Sequence, residues 1–338
     1  MGKSKKEKRQ AYFFDNKALL ALILPLVVEQ LLAVLVGMAD SIMIASVGEA
    51  AVSGVSLVDQ IMVLLINAFS ALATGGAVVA GQFLGQDRRE EACKSATQMV
   101  WFITICAIGI TVLVYLGKSF ILHTVFGKID QDVMHHADIY LLIVAASIPF
   151  MALYNGGAAI FRTMGNSKVT MQISIIMNVI NIGGNAILIF VFGMGVAGAA
   201  IATVLSQLAS CVVGFSYMRR RYELLRFSAH ELRLDRTAAA RVLQIGAPMA
   251  LQQSIVSCGF LFLQKLVNLF GESMIASYTV ASRMENILMI PIIGIQNTMA
   301  TYAGQNMGAR QPERVSRGLG QGVLVSLLLT AALCLCQL

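Results

Sequence analysis

Asp40 is the residue whose position most demands a chemical role. It lies in LVGMADSIMIA, far along an apolar run. An ionisable group at the centre of a membrane helix costs about 2.5–3.5 kcal/mol on insertion scales, so it usually faces a cavity, a partner or an ion. Four other polar residues can join it. Asn178, Asn181 and Asn185 fall at i, i+3 and i+7, one face of a helix. Thr203 lies in the next apolar run. A carboxylate, amide oxygens and a hydroxyl can take a proton at Asp40 or hold a hard cation among oxygen ligands. Two blander readings compete: a helix-end position for Asp40, and plain interhelical hydrogen bonding for the asparagines.

Depth favours a common site. Asn185 lies 17 residues beyond Lys168, or about 26 Å at about 1.5 Å per residue. By the same rise Thr203 is only about 11 Å below the outer side, and Asp40 is about 35 Å above Lys17 along a helix that Pro25 bends. Asp40, Asn181, Asn185 and Thr203 are therefore expected in the outer half of a membrane, as an ion-coupling set.

The elements that must position them are membrane helices. Hydrophobic residues make up 57% of the 338 residues and charged ones 13%, with mean hydropathy +0.75. Spanning a ~30 Å hydrocarbon core takes about 20 apolar residues. Nine stretches qualify, at roughly 18–45, 57–83, 95–116, 137–160, 168–192, 195–219, 242–269, 275–303 and 319–338. Nothing alternates like barrel strands, which predicts an all-α polytopic membrane protein. The net charge of +7 does not indicate nucleic acid. With the N-terminus in the cytoplasm, 21 of the 25 Lys and Arg residues fall on one side, the bias that sets orientation in an inner (plasma) membrane. The arm MGKSKKEKRQ precedes an apolar run too long for a signal peptide, so the first span is expected to be retained.

The chain also repeats itself. Pro25, Gln30, Gly48, Glu49, Ala80, Gly81, Gln82, Gly85 and Glu90 recur 223 positions later as Pro248, Gln253, Gly271, Glu272, Ala303, Gly304, Gln305, Gly308 and Glu313. An offset covering six spans returns the chain to the same side, which predicts parallel repeats with the binding site between them. The expected organisation is an N-lobe over 1–218, a basic cytoplasmic linker over 219–241, and three spans of an incomplete C-lobe over 242–338, inactive or poorly stable alone. The turns AGQFLG and AGQNMG read as structural, with Gly ending a helix and Gln capping it.

Other residues carry less. Glu29 reads as a wetted residue near the cytoplasmic end of the first span, and Asp59 as a helix N-terminal charge at the outer surface. Lys265 and Arg283 with Glu285 can pair across spans seven and eight. Tyr154, Asn155, Asn178 and Glu285 are candidates for a substrate cavity. No Lys or Arg is expected within spans one to six. The six cysteines are scattered and lack a CxxC, and His135 and His136 have no companion ligand cluster, so no metal site is expected beyond a sodium ion at Asp40, Asn181 and Thr203.

The chain resembles the multidrug and toxic compound extrusion (MATE) family. The resemblance runs from Pro25 to Leu338. It rests on Pro25 and Asp40 in PLVVEQLLAVLVGMAD, on Asn181 and Asn185 in NIGGN, on GVAGAAIAT ending in Thr203, and on the two Gly-Gln-x-x-Gly turns. It implies two six-helix lobes and alternating-access antiport. The export of amphipathic or cationic drugs would be driven by protons or sodium, with no other cofactor and no enzymatic activity, by a monomer when full length. Many family members carry Asp where Asn185 stands. That loss of charge lowers the sodium affinity the resemblance implies and favours protons, though either ion remains open. A lipid-linked saccharide flippase of the same architecture, an intramembrane enzyme and a structural or regulatory membrane protein are the rival readings. The first would want cations inside the N-lobe, the second acidic pairs or a Ser/His couple.

Overall fold

The computed structural model describes residues 16–126, 129–221, 236–267, 270 and 272–337. Among these residues there is no strand, and nine long helical segments follow one another. They are α1 (Asn16–Ala45), α2 (Glu49–Gly85), α3 (Arg89–Leu116), α4 (Gln131–Thr163), α5 (Ser167–Val191), α6 (Gly195–Arg221), α7 (Arg236–Val267), α8 (Glu272–Gly308) and α9 (Pro312–Gln337). Each of the nine expected apolar stretches falls, over the described residues, within one of them, apart from Phe192 just beyond α5. Over the described residues, seven are long and apolar enough to cross a membrane: α1 to α6 and α9. The basic segment is shorter as a connection than expected, since α6 runs on through Arg221 and α7 begins at Arg236.

Local chemistry explains the breaks. α4 tightens into a 3-10 turn at Ala145–Ser147 because Pro149 has no N–H to offer the carbonyl of Ala145. Its large side chains Leu141, Ile148 and Phe161 fill a core with Phe69 of α2 and Met99 and Ile103 of α3. Outward faces stay apolar instead of polar: Leu116 is 79% exposed and Val191 76%, as a lipid solvent requires.

The repeat is written into the backbone. α2 and α8 have the same length, 37 residues each, and their bounds differ by the 223-residue offset. The turn after each has the same hydrogen bonds. Gln86 N donates to Gln82 O (3.2 Å) as Ala309 N does to Gln305 O (2.9 Å), and Arg88 N to Phe83 O (3.0 Å) as Gln311 N does to Asn306 O (2.9 Å). Asp87 and its equivalent Arg310 both take the left-handed conformation, with φ 58° and 55°.

These turns do more than end helices. A Cβ on Gly85 would overlap the carbonyl oxygen of Gln305, and one on Gly308 would overlap that of Gln82. The two contacts are repeat equivalents, the reciprocity a twofold relation imposes. Gln305 does not cap its own helix. It is buried, and its Nε2 donates to Thr163 O at the end of α4 (2.6 Å). The turns expected to be merely structural thus lock α2, α4 and α8 together at the basic end of the bundle. Higher up, α7 crosses α2 at Gly75 and Gly246, so close that a Cβ on Gly75 would overlap Gly246 Cα.

Candidate ion-coupling site

α5 and α6 form a tight hairpin through small residues. A Cβ on Gly184 would come within 2.9 Å of the Ala202 Cβ, and one on Gly198 within 3.0 Å of the Leu188 Cβ. That spacing brings the Asn181 amide to 3.4 Å from the Thr203 hydroxyl, which donates to its own helix at Ala199 O (3.0 Å). α1 packs along α5, so Asp40 meets the same face. Asn185 Nδ2 donates to Asp40 Oδ1 at 2.7 Å. With its nitrogen turned toward the carboxylate, the Asn181 amide donates to Asp40 Oδ1 and Oδ2 at 2.9 and 3.0 Å. All four expected coupling residues therefore come together. Asn185 is the last residue before α5 loosens into a π-type turn over Ala186–Val191, an irregularity common at functional sites.

Asp40, Asn185 and Thr203 line a cavity of about 90 Å³ with Gly37, Ser56, Asp59 and Tyr140 among its other walls. The volume decides what it can hold. A water takes about 30 Å³ of liquid volume and drug-sized ligands sit in pockets of about 300–1,000 Å³. This space suits an ion with one or two waters.

A model of the MatE family matches residues 25–187 and 248–338. The chain belongs to the MatE family. It is 27% identical over 294 residues to the probable multidrug resistance protein YoeA of Bacillus subtilis, which covers 85% of this chain and 63% of that protein. It is 25% identical over 317 residues to the probable multidrug resistance protein NorM of Thermotoga maritima, covering 93% and 68% respectively. The fold is similar to that of a MATE crystallised in complex with MaL6, with a TM-score of 0.87 at 22% identity over 94% of this chain and 70% of that one. The chain thus spans about two thirds of the length of the proteins it matches. It is a MatE multi-pass membrane protein.

Two residues of this MatE chain sit elsewhere than the sequence reading placed them. Asp59 is not a helix N-terminal charge: α2 begins at Glu49, ten residues earlier, and Asp59 is exposed where it lines the Asp40 cavity. Arg162 is not a loop residue. It is 8% exposed in the last turn of α4, so a cation does lie within the first six helices.

The remaining candidates do not reach Asp40. Tyr154 Oη donates to Glu29 Oε1 at 3.3 Å, with Ser174 and Arg162 close by. Glu29 is 8% exposed, buried and not wetted, and its Oε2 has no hydrogen-bond partner. Asn178 is buried with its Nδ2 unpartnered, and Asn155 Nδ2 turns back to Met151 O of its own helix (3.1 Å). Glu285 is exposed on α8, away from the cavity. The side chains of Lys265 and Arg283 lie outside the described residues. Tyr154→Phe removes the hydroxyl donor from a buried carboxylate, a loss of about 1–3 kcal/mol. The expected result is a melting temperature several degrees lower in detergent, with little change in coupling, because Tyr154 does not line the Asp40 cavity.

Proposed function

We propose that the protein is a secondary active exporter of amphipathic or cationic drugs and toxic compounds, coupled by antiport to a proton or sodium ion at Asp40. One observation carries the reading: a carboxylate bonded by the amides of Asn185 and Asn181 beside Thr203, on a cavity of ion size. Family membership supports it, since the matched relatives named above are probable multidrug resistance proteins. A cation that binds Asp40 more tightly in one arrangement of the helices than in the other shifts their balance, and only that difference does work. The reading places the protein in the plasma membrane with the basic loops and N-terminus in the cytoplasm. The division into lobes over 1–218 and 242–338, joined through 219–241, follows from the same repeat.

The flippase reading gains nothing from Arg162. That cation is buried beside Tyr154, whose hydroxyl is bonded to Glu29, so an acid shares its pocket. The test is ethidium efflux from energised, drug-hypersensitive bacteria that express the protein with both six-helix lobes. Expression should speed efflux over the empty vector, and collapse of both the proton and the sodium gradient should abolish the gain. Efflux no faster than the vector, from a well-expressed protein, overturns the reading.

A further inference from the structure

Asp59 and Ser56, both exposed, stand with Val52 and Val55 on a face of α2 that lines the Asp40 cavity; the spacing i, i+3, i+4, i+7 is one helix face. Across from it, Tyr140 of α4 is 5% exposed. Its hydroxyl lies within reach of both the Asp59 carboxylate and the Thr203 hydroxyl. The polar wall therefore runs from Asp40 through Asn185, Thr203 and Tyr140 to Asp59. A second observation points to a ligand. Asn185 is 1% exposed and lines this cavity, yet its Oδ1 has no hydrogen-bond partner. That oxygen can only accept, so it calls for a donor or a cation.

We propose that Asp59 is the second carboxylate of this site, and that the cavity binds one sodium ion between Asp40 and Asp59. The inference rests on the ion-coupling reading of Asp40 and deepens it. Asn185 contributes no charge from α5, and Asp59 supplies that charge from α2. A proton on Asp40 would neutralise one carboxylate and leave Asn185 Oδ1 unserved. A hard cation, which gathers oxygen ligands, serves the two carboxylates, Asn185 Oδ1 and the Thr203 oxygen together, with room for one or two waters in about 90 Å³. Two carboxylates on one such cavity repel each other, and a cation between them removes the repulsion.

The experiment measures the melting temperature of the purified protein against sodium chloride, with potassium chloride holding ionic strength constant. A ligand that binds only the folded state raises stability with its concentration. Sodium should raise the melting temperature of the unaltered protein where potassium does not. Asp59→Asn should raise the half-saturating sodium concentration at least about tenfold, the factor for losing one modest charge interaction. Asp59→Glu should keep the response. Asn185→Asp on the Asp59→Asn background should restore it, because Asn185 lies 2.7 Å from Asp40 and a carboxylate there returns the missing charge from the other side.

Three results overturn the proposal: sodium acting no better than potassium on the unaltered protein, Asp59→Asn keeping its half-saturation, or a monodisperse double variant that stays unresponsive. If efflux still depends on Asp40 in those cases, the transport reading stands and only the role of Asp59 falls. If efflux is absent while the sodium response follows Asp59, the site stands and the drug-export reading falls.

Discussion

Asp40→Asn is expected to cut energised ethidium efflux by about ten- to a hundredfold while leaving the protein folded. The amide keeps the shape of the carboxylate and can still accept from Asn185 Nδ2, so the packing of α1 on α5 survives. What goes is the charge. Hydrogen bonds to a charged group contribute about 1.5–3 kcal/mol, and each 1.4 kcal/mol is a factor of about ten. Two such bonds meet at Asp40, from Asn185 at 2.7 Å and Asn181 at 2.9–3.0 Å. The neutral side chain can neither take up a proton nor hold a cation, so the ion no longer distinguishes the two arrangements of the helices. Ethidium binding to the purified protein should change much less than transport, because the cavity at Asp40 is too small for ethidium. Unchanged efflux in a normally expressed variant would remove Asp40 from the coupling site.

The repeat and the polar cluster are legible in the sequence to a greater degree than the buried long-range contacts. The 223-residue offset predicted equivalent turns, and their hydrogen bonds and the left-handed Asp87 and Arg310 repeat at that offset. The Asn181–Asn185 face and Thr203 were readable because helical spacing aligns them and depth places Asp40 beside them. Asp59 was misplaced for a physical reason. Hydropathy marks only the lipid-embedded part of a helix, whereas α2 has 37 residues, or about 55 Å, well beyond a ~30 Å core. Starting that span at 57 turned a residue within the helix into a terminal charge. The repeated Gly48–Glu49 pair, a turn followed by a helix start, was the signal for the correct start. Ending span four at 160 misplaced Arg162 in the same way. The burial of Glu29 depends on Tyr154, 125 residues away, and no local pattern encodes that.

The second large effect is expected at the reciprocal turns. Gly308→Val should hold the α2 and α8 ends apart and slow transport severalfold or more. A Cβ there would lie within 2.7 Å of Gln82 Cα and overlap its carbonyl. The obstacle is backbone, which cannot swing aside as a side chain can. Overpacking of this kind costs about 1–3 kcal/mol, enough to shift a two-state balance about 5–150-fold. The cost falls only on the arrangement in which the turns touch, so the variant should remain folded but populate the separated state. Spin labels on Gln86 and Gln311, both exposed in the turns, would report this as a longer and broader distance distribution. Because Gly85 meets Gln305 as Gly308 meets Gln82, Gly85→Val should reproduce the same shift. Changes of unequal sign at the two glycines, or an unchanged distance with normal efflux, would show that contact between the turns is packing with no part in the transport cycle. Equal shifts would make the repeated Gly-Gln-x-x-Gly turn the contact that opens and closes the basic end, which explains why the motif occurs twice while Asp40, whose repeat counterpart is Leu263, occurs once.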